Sequence, residues 1–217
     1  MEPDSKYVPA LRFPALTRIY DPVVALTTRE RTFKQRLITQ ANLKPGLRVL
    51  DLACGTGTLA LWMKQAQPGI ELCAIDGDAQ ILRQARAKAA RLGVALDFHQ
   101  GLSTGLPFAA GSFDRVTSTL FFHHLPAADK VRSFAEALRV LVPGGELHVA
   151  DWGAPSNPVM RAAFLGIQLL DGFGNTAANV AGRLPHMMRE AGFIDVHQHG
   201  GVDTLFGTMA LYSARKI

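Results

Sequence analysis

The sequence predicts an α/β fold built on a mostly parallel sheet covered by helices on both faces. Short apolar runs alternate with helix-patterned stretches from residue 48 to residue 150, the order expected of strand–helix–strand units. Runs such as Val49-Leu50 and Leu147 to Ala150 are apolar on consecutive residues, as burial on both sheet faces requires. Glycine or proline punctuates nearly every junction between them.

Residues 11–41 read as helical, with a break near Asp21-Pro22 because proline disfavours helix at the residue before it. Lys44-Pro45-Gly46 turns the chain into a strand from Arg48 to Leu52. A helix from Thr58 to Gln67 stops at Pro68-Gly69. Glu71 to Ile75 forms the second strand and Asp78 to Leu92 a helix ending at Gly93, with Asp78 as its N-cap. Val94 to Gln100 is read as the third strand, and Phe113 to Leu120, after Gly111-Ser112, as the fourth. A helix from Pro126 to Leu141 closes at Pro143-Gly144-Gly145, and Glu146 to Ala150 is the fifth strand. An apolar helix from Pro158 to Leu170 meets a turn at Gly172-Phe173-Gly174-Asn175, and another helix runs to Ala191-Gly192. Two last strands are read near Phe193 to His199 and Thr204 to Ala214. The short Gly200-Gly201 link makes them antiparallel, since a parallel crossover needs a dozen or more residues.

The 217 residues suit one domain with a full core, and 48% hydrophobic against 19% charged residues is a globular balance. No apolar stretch reaches membrane-spanning length, and MEPDSKYVPA lacks the basic-then-apolar pattern of a signal peptide, so the cytoplasm is the expected compartment. Cys54 and Cys73 make no disulfide framework and are read as small packed residues. The net charge of +5 arises entirely within residues 1–50, which hold nine Lys/Arg against four Asp/Glu. Arg29, Arg31, Lys34 and Arg36 read as the solvated face of an amphipathic helix, with attraction for an acidic substrate or an anionic surface as the sharper alternative. Nothing interleaves aromatics with these charges as single-strand nucleic-acid binders do.

The most informative run is Val49-Leu50-Asp51-Leu52-Ala53-Cys54-Gly55-Thr56-Gly57, a strand that turns through two glycines into a helix. With Ala60 it satisfies the Gly-x-Gly-x-x-Ala dinucleotide fingerprint, which seats a pyrophosphate. Asp51, four residues before the first glycine, would repel that pyrophosphate. A ligand with an ammonium group and no phosphate would welcome it. S-adenosylmethionine is such a ligand.

The run resembles the first motif of class I S-adenosylmethionine-dependent methyltransferases, close to the ubiquinone/menaquinone-biosynthesis C-methyltransferases and the methyltransferase type 11 group. The resemblance continues in register through Ala74-Ile75-Asp76, Leu106-Pro107-Phe108, Ser112-Phe113-Asp114, Phe122-His123-His124-Leu125 and Val142-Pro143-Gly144-Gly145-Glu146. It implies a Rossmann-like three-layer α/β/α sandwich whose seven-stranded sheet has one reversed strand. The expected division is one methyltransferase domain: an N-terminal helical cap at 1–44, a cofactor-binding core at 45–152, and lid helices with the final strand pair at 153–217.

In an open α/β sheet the ligand lies beyond the carboxyl ends of the strands, near the switch point. There Gly55 and Gly57, with Ala53 and Cys54 between strand and helix, are expected to face the methionine part of the cofactor, and Asp51 its ammonium. Asp76, 19 residues beyond Gly57 and followed by Gly77, is expected to accept the ribose hydroxyls. Ile81 matches the family's apolar residue beside the adenine. The family commonly has Gly-Asp-Ala after the third strand, whose acid binds the adenine amine; here the residues are Gly101-Leu102-Ser103. Leu102 can pack on the ring and the Ser103 backbone N–H can meet a ring nitrogen, but the side-chain bond, about 1.5–3 kcal/mol, is missing. Ser118 and Thr119 end the fourth strand and are expected to line the cleft. Tyr20 resembles an N-terminal tyrosine that closes over the methionine end in related enzymes.

Methyl transfer from a sulfonium is an in-line displacement, so the protein mainly positions the acceptor, a contribution of about 7–11 kcal/mol. A base is needed only where the acceptor must lose a proton. His123 and His124 follow the fourth strand and are the candidates, His123 ahead of His124; the alternative is a loop-to-helix segment with one histidine bonded to backbone. Asp151 and Trp152 are expected near the acceptor pocket. His197 and His199 share a strand face but lack a third ligand, and no metal is expected. Residues 1–41 and 156–176 are expected to set acceptor specificity. Met160, Phe164, Leu165, Ile167, Leu169, Leu170 and Phe173 suggest a lid over a small apolar or aromatic acceptor, with ordinary helix-on-sheet packing as the alternative. Two other functions fit parts of the pattern: an NAD(P)-dependent oxidoreductase using the glycine fingerprint, and a non-catalytic binder of S-adenosylmethionine or S-adenosylhomocysteine.

Overall fold

The computed structural model describes residues 28–217, and the expectations for residues 11–27, Tyr20 included, lie outside the described residues. A seven-stranded sheet forms the middle layer in the order β3-β2-β1-β4-β5-β7-β6. Its strands are β1 (Arg48–Leu52), β2 (Glu71–Asp76), β3 (Asp97–Gln100), β4 (Phe113–Thr119), β5 (Leu141–Trp152), β6 (Ile194–Asp203) and β7 (Thr208–Arg215). β7 runs antiparallel to both β5 and β6 and is the reversed strand. The remaining pairings are parallel, and the order reverses between β1 and β4.

The helices among the described residues are α1 (Glu30–Gln40), α2 (Thr58–Ala66), α3 (Ala79–Arg91), α4 (Ala127–Val140), α5 (Pro158–Ala163), α6 (Leu165–Asp171), α7 (Phe173–Val180) and α8 (Leu184–Glu190). A single turn of 3-10 helix, Phe122–His124, links β4 to α4. Consecutive strand residues feed opposite layers. Leu50, Val116 and Val149 pack with Phe134 and Ala137 of α4 and Met188 of α8. Val49, Ala74 and Ala150 pack with Phe33 and Leu37 of α1 and Leu59 and Met63 of α2. This two-sided burial is why the strands read as unbroken apolar runs.

Four expectations are corrected by local hydrogen bonding or packing. The third strand begins at Asp97, not Val94, because the Val94 and Gly93 N–H groups cap α3 through the Ala89 and Ala90 carbonyls. Residues 158–170 form two helices that meet at Phe164, whose ring is buried against Trp152. The segment expected to turn at 172–175 turns only at Gly172, and Phe173 already starts α7. Gly200-Gly201 is not the link between the last strands. Gly201 pairs with Ala210 beside a register shift, so these glycines form a bulge. The reversal itself is made by Thr204, whose N–H and hydroxyl both donate to the Gly207 carbonyl.

The basic helix face is also corrected. Lys34 is buried with Glu30, its ion-pair partner one turn earlier on α1. Arg29 and Arg36 lie exposed and donate to the Asp203 and Gly201 carbonyls of β6. The charges therefore dock α1 onto the sheet edge as well as facing solvent.

Candidate active site

The carboxyl ends of β1 and β4 flank the switch point, and both are held in left-handed backbone. Ala53 has φ 55° and Leu120 φ 53°, conformations that store strain in residues carrying a Cβ. Beyond Ala53 the turn continues through Gly55 at φ 54° and Gly57 at φ 75°. A Cβ on Gly57 would stand 3.3 Å from Ala85, so that glycine also serves helix packing. A Cβ on Gly55 would meet no protein atom within 4 Å. Open space beside exposed backbone is what a ligand cradle requires.

Asp51 sits beneath this turn, 1% exposed. Thr117 donates to its Oδ1 at 3.1 Å, while its Oδ2 is buried without a partner. Burial pushes its carboxyl up to about 7, with the nearby positive charge of Lys34 and the Thr117 hydroxyl opposing. A buried carboxylate with an orphaned oxygen costs stability unless a cation completes it. An ammonium group such as that of S-adenosylmethionine would meet that need, and a diphosphate would worsen it. The residues present therefore fit the cofactor.

Asp76 ends β2 as expected. Its Oδ2 accepts from the Gly55 N–H and its Oδ1 from the Asp78 N–H, each at 2.9 Å. These bonds orient the carboxylate and leave lone pairs for a diol. Burial raises its pKa, with the Asp78 and Gly55 N–H groups opposing. Asp78 caps α3 by accepting from Gln80 and Ile81, which frees Asp76 from that task. Past the end of β3 Leu102 is exposed, and the Ser103 hydroxyl pairs with Ser133 of α4 at 2.7 Å. The side chain at 103 is thus engaged with the protein.

On the far side of β4, His123 is buried with Nδ1 2.7 Å from Asp151 Oδ1. Asp151 is fully buried on β5 and does not line a pocket; it also accepts from the backbone N–H groups of Phe121, Phe122 and Trp152 and from the Asn179 amide. Burial pushes its pKa up, but the charge and N–H of His123 and the Trp152 N–H outweigh this and hold it below the usual range. An ionised carboxylate only accepts, so the Nδ1 position of His123 carries a proton and Nε2 points elsewhere. Nε2 lies 3.6 Å from Asp171 Oδ2, at the end of α6, and His124 Nδ1 lies 3.5 Å from Asp171 Oδ1. Trp152, 2% exposed, is core rather than pocket wall.

Sequence reasoning missed the supports of this histidine pair. Asn175 donates to the His124 carbonyl at 2.9 Å, and Asn179 donates to the Trp152 carbonyl at 2.9 Å. Both sit on one face of α7, and their i, i+4 spacing was the available signal. Lys130 of α4 is buried and donates to the carbonyls of Leu125 and Asn175. Burial lowers its pKa to about 8. Ser118, expected in the cleft, is fully buried with an unpartnered hydroxyl, while Thr119 is half-buried at the strand end. His197 and His199 stand on exposed β6, His199 bonding Ser213 at 2.7 Å.

Comparison with known proteins agrees with this geometry. Residues 49–145 match a family described as a methyltransferase domain. The chain is 38% identical over 123 residues to a demethylmenaquinone methyltransferase of Thermus thermophilus, covering 57% of this chain and 55% of that protein. It is 34% identical over 151 residues to a ubiquinone/menaquinone biosynthesis C-methyltransferase of Bordetella avium, covering 69% of this chain and 58% of that protein. The chain thus spans little more than half the length of these relatives. A crystal structure of an S-adenosylmethionine-dependent methyltransferase from Aquifex aeolicus superposes with a TM-score of 0.69 at 17% identity, over 94% of this chain and 99% of that one. Over residues 49–145 the chain thus matches a methyltransferase domain in sequence, and its fold is that of the S-adenosylmethionine-dependent enzyme from Aquifex aeolicus.

Proposed function

We propose that the protein transfers the methyl group of S-adenosylmethionine to a small, electron-rich aromatic acceptor, with His123 taking the acceptor's proton. The observation that carries the cofactor half is the orphaned Oδ2 of buried Asp51 beneath the open turn at Gly55. Asp51 receives the ammonium, Asp76 the ribose hydroxyls, and Ile81, Leu102 and the Ser103 backbone the adenine. When bound, the cofactor supplies a methyl group already activated by the positive sulfur.

The acceptor half rests on the demethylmenaquinone named for the relatives and on residues of this chain. Val159, Leu165, Leu169, Leu170 and Phe173 of α5–α7 are large apolar side chains left exposed, suited to covering an apolar ring or tail. Asp151 holds the Nδ1–H of His123 and so leaves Nε2 as the proton acceptor. Methylating a ring carbon or hydroxyl forms a carbon–carbon or oxygen–carbon bond, breaks the sulfur–carbon bond and releases one proton, which Nε2 receives. No helix among the described residues is long and apolar enough to cross a membrane.

Calorimetry with S-adenosylhomocysteine and with a nicotinamide dinucleotide tests the cofactor: micromolar binding of the first and none of the second is expected. A tritiated-methyl screen against hydroquinones and phenols tests transfer, and the absence of label in any acceptor would leave only a binding role. Asp76→Ala is expected to weaken S-adenosylmethionine binding by at least ~10-fold through the loss of charge-assisted bonds. His123→Ala is expected to lower kcat by ~100-fold or more with little change in cofactor affinity. An equal kcat would return His123 to a purely structural place.

A further inference from the structure

We propose that His123, His124 and Asp171 form a site for a first-row divalent transition metal, best suited to Zn2+, whose occupancy switches methyl transfer off. The inference rests on the assignment of His123 Nε2 as proton acceptor, because the metal would take that same lone pair. The three side chains present ligand atoms that all lie within 4.8 Å of one another. Asp171 offers one oxygen to each imidazole, Oδ2 at 3.6 Å from His123 Nε2 and Oδ1 at 3.5 Å from His124 Nδ1. Those separations are long for hydrogen bonds. They are close to the ~3.4 Å edge of a tetrahedron with metal–nitrogen bonds of about 2.0–2.1 Å.

A second, independent observation is the partner behind His123. Buried Asp151 accepts its Nδ1–H at 2.7 Å, the carboxylate–histidine arrangement that orients an imidazole toward a metal and raises its basicity. The ring of His124 stands 3.9 Å from that of His123, and Asn175 anchors its backbone carbonyl at 2.9 Å. Lys130, the cation in this neighbourhood, has its ammonium turned to the carbonyls of Leu125 and Asn175. Two imidazoles and one carboxylate suit Zn2+ and its transition-metal neighbours, whereas Mg2+ and Ca2+ favour all-oxygen sites. Three protein ligands leave the fourth position to water. A metal-bound His123 has no lone pair for a proton, so a loaded site cannot serve as the base.

A second group, Cys73, Asp97 and His99 at the β2–β3 edge, supplies the control. There His99 Nε2 already bonds Asp97 Oδ2 at 2.7 Å, so the site is closed on itself.

Equilibrium dialysis of the purified chain against Zn2+, without cofactor, tests the site directly. One ion per chain is expected with a Kd on the order of micromolar. His124→Ala and Asp171→Asn should each weaken binding by at least ~10-fold, and the Cys73→Ser/His99→Ala double variant should bind as the natural chain does. Melting temperatures of the variants establish that they are folded. No saturable binding, or binding lost only in the Cys73/His99 variant, overturns the site. In the transfer assay Zn2+ should inhibit and a chelator restore; bound Zn2+ without inhibition overturns the shared lone pair. If the natural chain binds no zinc while His123→Ala abolishes transfer, the metal site fails and the base stands. Zinc binding alongside an unchanged kcat in His123→Ala overturns the switch and the base together.

Discussion

Asp51→Asn is expected to weaken S-adenosylmethionine binding by ~100-fold or more and, at the same time, to stabilise the ligand-free protein above pH 7. Both effects come from one buried carboxylate. Its Oδ2 makes no hydrogen bond in the protein, and burial raises its pKa from the ordinary value to about 7 against the opposing Lys34 charge, Thr117 hydroxyl and Ala60 N–H. An acid whose folded pKa lies above its unfolded pKa binds more protons when folded. Its contribution to stability therefore falls as pH rises from about 4 to about 7, and the full penalty, on the order of 4 kcal/mol, is present above that window. Asparagine removes the charge yet can still accept from Thr117, which keeps the local bonding. What it cannot do is neutralise an ammonium. Thermal melts at pH 5 and pH 8 should show the natural chain losing stability across that interval and the variant losing less. Titration calorimetry should show proton release on binding near pH 6 in the natural chain, because the cation favours ionised Asp51, and none from this group in the variant. Unchanged affinity would remove the ammonium from this position.

Asp151→Asn is expected to lower kcat by roughly 10^3-fold while leaving cofactor affinity within a few-fold. Asp151 is an acceptor for five donors: three backbone N–H groups, the His123 ring and the Asn179 amide. An amide offers one oxygen and adds two N–H donors, so it cannot satisfy that ring of donors. His123 would turn or change tautomer, as when the carboxylate behind a catalytic histidine is replaced by an amide. Asp151→Ala removes every acceptor at once and is expected to cost several kcal/mol of stability, so the amide is the informative variant. Single-turnover kinetics, with S-adenosylhomocysteine affinity measured in parallel, separates loss of chemistry from loss of fold. A variant that keeps its kcat would leave Asp151 as a structural anchor of the β4–α4 link alone.

The charged features of this chain show how the same residue types carry different information. Asp51 and Asp76 announce themselves because strand ends beside a glycine turn are positions where backbone geometry dictates the ligand side. Lys34 does not. It shares a helix face with exposed arginines in the sequence; its i, i+4 pairing with Glu30 is local, and only the packing of α1 on the sheet brings it near Asp51. Asp171 was hidden for a similar reason. Nothing in Leu169-Leu170-Asp171-Gly172 marks that acid, which acquires meaning from lying 3.6 Å from His123, 48 positions earlier in the chain.

What the sequence determined by itself was whatever depends on local periodicity and turn chemistry. The alternation of buried strands with helices, the glycine turn after Asp51, the capping of α3 by Asp78 and the antiparallel final pair all follow from residues within a few positions of one another. Tertiary structure alone decided what depends on how separate elements meet. It made Asp151 a buried anchor rather than a pocket wall, turned the Gly/Asn segment into a helix whose amides hold the histidine pair, and spent Gly200-Gly201 on a bulge. The physical reason is that hydrogen-bond partners and desolvation are set by neighbours in space. Residues 27 to 66 positions apart in the chain contribute as much to them as those next door.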